Sequence, residues 1–321
     1  VRDRITGKAE NLGKELFLEL NRRPSQSALV LGSGRSGTTW LAESIARRHR
    51  SRLLFEPFHP FLRSIEGELR LFIHPSDKND AFERSVHRVL SGRVRTVHVD
   101  QVLCARFPRS RVVKDVHASN LLPWLRAKYP TLPIVFVVRH PIAVSFSRHR
   151  SSSFHGLGDY LATPAGRGDA EDSPVATWLP LYDRYRTDSD PLVRLVAEWC
   201  IENVYPLSRI DDTGTALAFY ETIVLNPVDE IARLAEFCRG ALGPAAHARM
   251  TVSEARQPSA MDWFGTAAAA RESGDWERRL SRWTDEVPRT TAERCVNVLA
   301  DFGLDRFYDD SPLPLRSPSA A

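Results

Sequence analysis

Residues 28–41 read ALVLGSGRSGTTWL, and the fold turns on how this stretch is parsed. An apolar run, Ala28 to Leu31, gives way to glycines at positions 32, 34 and 37 and then to residues that suit a helix. Strand, glycine-rich turn and helix together make an anion-binding loop. Glycine lets the backbone curl around the ligand, and the helix N-terminus offers free amides and the positive end of its dipole. Two patterns of this kind fit. Gly32, Gly34 and Gly37 spell G-x-G-x-x-G, and Glu56, 19 residues past Gly37, stands where an acid would hold the ribose of a dinucleotide. Gly32 to Thr39 also match P-loop spacing, with Thr38 in the place of the phosphate-gripping lysine.

Working outward, short apolar runs alternate with helical stretches. Strands are predicted at 52–55 (RLLF), 111–116 (RVVKDV), 133–138 (PIVFVV) and 214–221 (GTALAFYE). Helices are predicted at about 36–48, 120–128, 141–150 and 228–238. PIVFVV is apolar on consecutive residues, as a strand covered on both faces requires. The alternation predicts an α/β fold, a P-loop-like parallel sheet flanked by helices on both faces. Residues 26–308 form the domain, after a charged, weakly amphipathic helical extension over 1–25. Residues 151–190, rich in Ser, Gly, Asp and Pro, read as an inserted loop or lid on the acceptor side, and 309–321 as a disordered tail.

Composition narrows the function. Of 321 residues, 42% are apolar and 26% charged, which suits a soluble globular chain. No apolar run reaches membrane-span length and residues 1–24 lack a secretory apolar block, so a cytoplasmic protein is expected. Cys104, Cys200, Cys238 and Cys295 are scattered and read as reduced thiols, with no metal spacing. The net charge of +4 favours anionic ligands, but no long basic run points to nucleic acid. ATP phosphoryl transfer lacks both the loop lysine and a clear magnesium-binding acid, since PIVFVV ends in Arg139. A less charged transferred group, with arginine in the loop to meet the leaving phosphate, fits better. Sulfuryl transfer from 3′-phosphoadenosine 5′-phosphosulfate (PAPS), leaving 3′-phosphoadenosine 5′-phosphate (PAP), meets these conditions.

Several strings then resemble the PAPS-dependent sulfotransferases. GRSGTTWL resembles the 5′-phosphosulfate loop, with Arg35 as in the carbohydrate enzymes. FVVRHPIAVSFSRHR resembles the 3′-phosphate motif, its Arg139 and Ser147 eight residues apart. AFYETIVLNPVDEIARLAEFC resembles the adenine-side segment. RESGDWERRL resembles a degraded R-K-G-x-x-G-D-W-K signature in which Arg271 lies two residues too close.

The resemblance implies roles. Ser36, Gly37, Thr38 and Thr39 would cradle the 5′-phosphate, with Arg35 near the bridging oxygen. Arg139 and Ser147, with Arg271, would hold the 3′-phosphate, and Trp40 and Tyr220 would contact adenine; a core role for Trp40 stays open. Two residues compete as the base. Glu56 in LLFEP resembles the Phe-Glu-Pro of carbohydrate sulfotransferases and is preferred. His117, 22 residues before Arg139, matches the histidine of the cytosolic enzymes. Lys114, three residues before His117, would stabilise the bridging oxygen. No metal is expected. The acceptor would be a hydroxyl on a small molecule or glycan. The alternatives are a nicotinamide-dependent oxidoreductase and a non-catalytic PAP-binding protein.

Overall fold

Five strands form the centre: β1 (Ser27–Gly32), β2 (Arg52–Phe55), β3 (Arg111–Asp115), β4 (Ile134–Val138) and β5 (Thr215–Phe219). Their order is β2-β3-β1-β4-β5, with every neighbouring pair parallel. The computed structural model describes residues 19–59, 70–151, 157–210, 214–245, 250–257, 259 and 275–316. Every strand residue is buried, as the unbroken apolar runs predict. Side chains alternate between two cores. Leu29 and Leu31 enter one, Ala28 and Val30 the other.

The helices follow in chain order: α1 (Thr38–Arg48), α2 (Asp80–Leu90), α3 (Leu122–Lys128), α4 (Pro141–His149), α5 (Leu157–Leu161), α6 (Pro164–Glu171), α7 (Leu179–Tyr185) and α8 (Pro191–Ser208). After β5 come α9 (Tyr220–Leu225), α10 (Pro227–Leu242), α11 (Val252–Ala255), α12 (Trp276–Glu286) and α13 (Arg289–Asp301). Ile45 of α1 and Leu234 of α10 cover one sheet face. On the other, Trp124 of α3, Val144 of α4, Trp199 of α8 and Leu299 of α13 share one core with Leu31 and Phe136, α13 packing on α8. Truncating a fully buried side chain such as Leu31 to Ala would cost about 2–5 kcal/mol. Among the described residues, no helix is long and apolar enough to cross a membrane.

Three regions depart from expectation. Within 151–190, the described residues form α5, α6, a 3-10 turn (Pro174–Trp178) and α7. Thr163, Ser173 and Asp190 each accept an amide hydrogen bond as helix caps, and a proline follows each at the first helical position. Cap and proline look like loop punctuation in sequence but begin helices here. Residues 309–316, expected to be disordered, are tied down: the Leu315 amide donates to Phe307 O at 2.9 Å, and His140 Nε2 meets Asp309 O at 3.0 Å. Of the N-terminal extension only 19–25 is described, and it carries no α-helix. Instead Glu19 is buried at the sheet's amino edge, accepting from Arg111 Nε at 2.6 Å and Arg52 Nη1 at 2.7 Å.

Strand register sets the site. Leu31 pairs with Asp115, Gly32 with Val137, Phe55 with Lys114 and Val138 with Phe219. The strands therefore end together at one carboxyl edge. The chain leaves β1 between β3 and β4, a switch point where α/β sheets bind ligands.

Candidate active site

The turn after β1 has a conformation that its glycines dictate. Gly32 has φ 146°, and a Cβ there would stand 2.2 Å from Val137 O of β4. Gly37, the cap of α1, has φ 81°, and a Cβ there would meet the Tyr220 ring at 2.5 Å. Arg35 is also left-handed, at φ 74°, a strain of about 1–3 kcal/mol that surrounding contacts must hold. They do. Arg139 Nη1 donates to Arg35 O at 2.9 Å, Arg148 Nη2 to Gly34 O at 3.2 Å, and Asn203 Nδ2 to Ser33 Oγ at 2.6 Å. With these carbonyls taken by guanidinium groups, what the loop still offers is donors. The amides of Thr38 and Thr39 open α1 and have no intrahelical partner. Ser36 Oγ is buried with no hydrogen-bond partner.

Beside the loop lies a cavity of about 320 Å³ lined by Arg35, Arg139, Ser147, Arg150, Arg279 and Arg282, among others. Arg35 Nε donates to Ser147 Oγ at 3.1 Å. The side chain expected near a bridging oxygen is thus turned into the cavity with Arg139. Arg139 is half-buried: its Nε has no hydrogen-bond partner, and its guanidinium carbon lies 4.5 Å above the Tyr220 ring. Burial pulls its pKa down, Tyr220 opposes this, and Arg279 adds to it. Glu286 reaches Arg150 and Arg282 at 2.8 and 2.7 Å, and five arginines in all line the cavity. Such a cavity calls for an anion of more than one charge.

The floor is stiffened by a buried network. The His140 amide donates to Glu221 Oε1 and Tyr308 Oη to Glu221 Oε2, each at 2.9 Å. His140 Nδ1 accepts from the Ile142 amide, so Nε2 is the nitrogen that donates to Asp309 O. Burial lowers the His140 pKa to about 4 and raises that of Glu221. Tyr220, expected at the end of a strand, instead opens α9. Its ring meets Trp40 edge-on at 6.2 Å, and both join Trp276 and Leu280 in a small cluster. Trp40 Nε1 donates to Ala255 O at 3.1 Å, so Trp40 has a packing role.

The opposite side of the crevice holds Glu56, Lys114 and His117. Glu56 follows β2 at φ 44°, and its amide donates to Lys114 O at 2.7 Å. Lys114 Nζ is ion-paired with Glu56 Oε1 and lies 4.5 Å above the Phe55 ring. His117 Nδ1 stands 3.6 Å from Asp115 Oδ1. Asp115 accepts from the amides of Phe58, His117 and Ala118. Its burial pushes the carboxyl pKa up, but the His117 interaction and these amides outweigh that and hold it below the ordinary value. His59 packs 4.7 Å from His117 and 5.7 Å from His98, and burial lowers the pKa of both His59 and His98.

Sequence reasoning did not single out Arg148, Arg150, Asn203, Arg279, Arg282, His59, His98, Asp115 or Glu202. Arg279 and Arg282 are the exception that had a signal: spaced i, i+3 after Asp275, they share one face of a helix. Arg271 lies outside the described residues.

The strand order decides against the dinucleotide reading. There, the ribose-binding acid ends the strand next to the loop strand. Here β3 separates β2 from β1, which puts Glu56 two strand spacings, about 10 Å, from the loop. The fold and site define a phosphate-loop α/β protein with an arginine-walled cavity. The family model for the sulfotransferase family matches residues 28–242, and the chain belongs to that family. It is an enzyme fold of the transferase class. Among solved structures, the chain is similar to the sulfotransferase domain from the curacin biosynthetic pathway at 18% identity, covering 71% of this chain and 81% of that one, TM-score 0.37. It is similar to a sulfotransferase from Alicyclobacillus acidocaldarius at 14% identity, covering 81% and 94%, TM-score 0.35. It is also similar to retinol dehydratase in complex with androsterone and the inactive cofactor PAP, at 16% identity, covering 87% and 81%, TM-score 0.42. No curated protein matches the chain.

Proposed function

We propose that the enzyme moves a sulfuryl group from PAPS to an acceptor hydroxyl. The observation that carries the reading is the pairing of a donor-only phosphate loop with the adjoining five-arginine cavity. Two separated anionic groups on one nucleotide match this pair, and the buried orphan atoms Ser36 Oγ and Arg139 Nε await such partners. The loop amides and the hydroxyls of Ser36, Thr38 and Thr39 hold the 5′-phosphate. Arg139, Ser147, Arg279 and Arg282 hold the 3′-phosphate, and Arg35 spans the two. Tyr220 and Trp40 border the adenine. PAPS supplies the transferable sulfuryl group. The chain orients it and meets the charge that builds on the leaving phosphate with fixed donors.

On the acceptor side we assign the proton to His117. Its buried Nδ1 faces the Asp115 carboxylate at 3.6 Å, which leaves Nε2 to take the acceptor proton, and that carboxylate, held ionised, stabilises the imidazolium that forms. Glu56, preferred on sequence alone, has its carboxylate engaged by Lys114, so the pair serves to orient acceptor and sulfuryl oxygens. The acceptor is a hydroxyl on a sugar or sugar-bearing small molecule, and the protein works in the cytoplasm. The test is transfer of labelled sulfate from PAPS with PAP affinity measured alongside. His117→Asn should lower turnover by about 10²–10⁴ with PAP affinity unchanged, and Glu56→Gln by less. A larger loss in Glu56→Gln than in His117→Asn would return the base to Glu56.

A further inference from the structure

A second cavity lies on the same edge of the sheet. Asn203 of α8 bonds Ser33, just past the end of β1. The chain after α8 then enters β5 at Thr215, level with Ile134 at the start of β4. Helix α8 therefore runs antiparallel to the strands, and its N-terminal half projects beyond the carboxyl edge. Glu198, five residues before Asn203, lies about 7.5 Å further out along the helix axis. It closes a cavity of about 410 Å³ lined also by Gly158, Asp159, Tyr182, Arg186 and Arg194. An adjoining cavity of about 470 Å³ shares Gly158, Tyr182 and Arg186, so the two make one groove along α5 and α7.

The lining selects a chemistry. Arg186 Nε is tied to the Asp183 carboxylate at 2.8 Å, which compensates its charge, while Arg194 Nη1 donates to the backbone carbonyl of Asp188 at 2.5 Å and keeps its charge. Glu198 Oε1 is buried, accepts no hydrogen bond, and stands 3.8 Å from Arg148 Nη1. The carboxyls of Asp159 and Glu198 stand against the guanidinium groups of Arg186 and Arg194, and with the Tyr182 phenol and the His149 ring they offer donors and acceptors without strong net charge. That suits a hydroxyl-rich neutral molecule. We propose that this cavity binds the polyol part of a neutral glycoside acceptor, with Glu198 Oε1 accepting from one of its hydroxyls. The proposal rests on the sulfuryl-transfer reading for the word acceptor, and on the geometry of α8 for the site. It also links the two sites, because Arg148 lies between Glu198 and Gly34 O of the phosphate loop.

Saturation-transfer NMR on the full chain tests it, with methyl glucoside, methyl galactoside and cellobiose as probes, p-cresol and hexanol as controls, each with and without PAP. At least one glycoside should receive saturation. Gly158→Val, whose Cβ would stand 2.8 Å from Glu198 Oε2 and fill the cavity mouth, should abolish it. Glu198→Gln should weaken it about fivefold or more. Should Gly158→Val fail to fold, Arg186→Ala with Tyr182→Phe replaces it, with the same loss expected. The proposal is overturned if no glycoside receives saturation, if only the controls do, or if the cavity variants respond as the wild type does. Failure of PAP to bind the wild-type chain would sink the sulfotransferase reading instead, and the arm without PAP would still decide the cavity.

Discussion

Arg148 offers a perturbation whose two consequences can be separated. Its side chain is 0% exposed and joins the Gly34 carbonyl of the phosphate loop at 3.2 Å to the carboxylate of Glu202 at 2.7 Å. Arg148→Met leaves Glu202, 7% exposed, as a buried carboxylate without its cation, a loss of about 3–5 kcal/mol. At 321 residues, the unfolding entropy converts this to a fall in Tm of about 5–8 °C. Adding Glu202→Leu removes the stranded charge and should restore most of that Tm. Glu198, whose pKa burial already raises to about 7, can shed its charge by binding a proton, so it does not block the rescue. What the double variant cannot restore is the hold on Gly34. A charge-assisted hydrogen bond contributes about 1.5 kcal/mol or more, which in a loop that must be preformed means roughly tenfold weaker PAP binding. Calorimetric titration with PAP beside a thermal melt reads both. If the double variant recovers its Tm and binds PAP as tightly as the wild type, Arg148 is a core ion pair and the account of a braced loop is wrong.

Four further outcomes follow from the same geometry. Arg139→Ala should weaken PAP binding about 10–100-fold, measured by the same titration, because it removes one charged fork from the cavity and one support of the Arg35 carbonyl. Glu19→Ala strands the buried Arg111 guanidinium at the far edge of the sheet, while Arg52 keeps its pair with Asp100; it should lower stability by about 3–5 kcal/mol in a denaturant melt and leave PAP affinity alone. Gly37→Ala combines an unfavourable φ with a Cβ against the Tyr220 ring and should abolish detectable PAP binding in a folded protein, as judged by circular dichroism. His140 sets an acid limit. Its folded pKa of about 4 lies below the ordinary 6.5, so its contribution is complete above pH 6.5 and is lost as pH falls towards 4, about 3 kcal/mol in all. Glu198, with its raised pKa, works in the opposite direction below pH 7, so the test compares wild type with His140→Asn, in which that effect cancels. The stability difference should be flat above pH 6.5 and shift below it.

The parts of this structure that were legible in the sequence are those fixed by local rules. A strand, three glycines and a helix start leave few options, and the buried β4 ended in Arg139 where the phosphate motif required it. What could not be read is what depends on tertiary placement. The insertion of β3 between β1 and β2 moved Glu56 away from the loop, and no spacing announces that. The longest described helix, α8, was missed because it is buried on consecutive residues from Trp199 to Leu207 and so lacks an amphipathic stripe. The segment 157–185 was misread because Thr163-Pro164 and Ser173-Pro174 look like breakers when they are caps. Arg148 sits beside Ser147 in sequence, yet one supports the loop from the core and the other lines the cavity.

The central claim is that the donor-only loop and the arginine cavity together bind a nucleotide carrying both a 5′- and a 3′-phosphate. Titration of the full chain with PAP, with 5′-AMP, ATP and NAD in parallel, tests it most directly. Tight binding of PAP and at least tenfold weaker binding of 5′-AMP, with the gap closed by Arg139→Ala, is the predicted result. Equal affinity for PAP and 5′-AMP, or binding of NAD in preference to both, would contradict it.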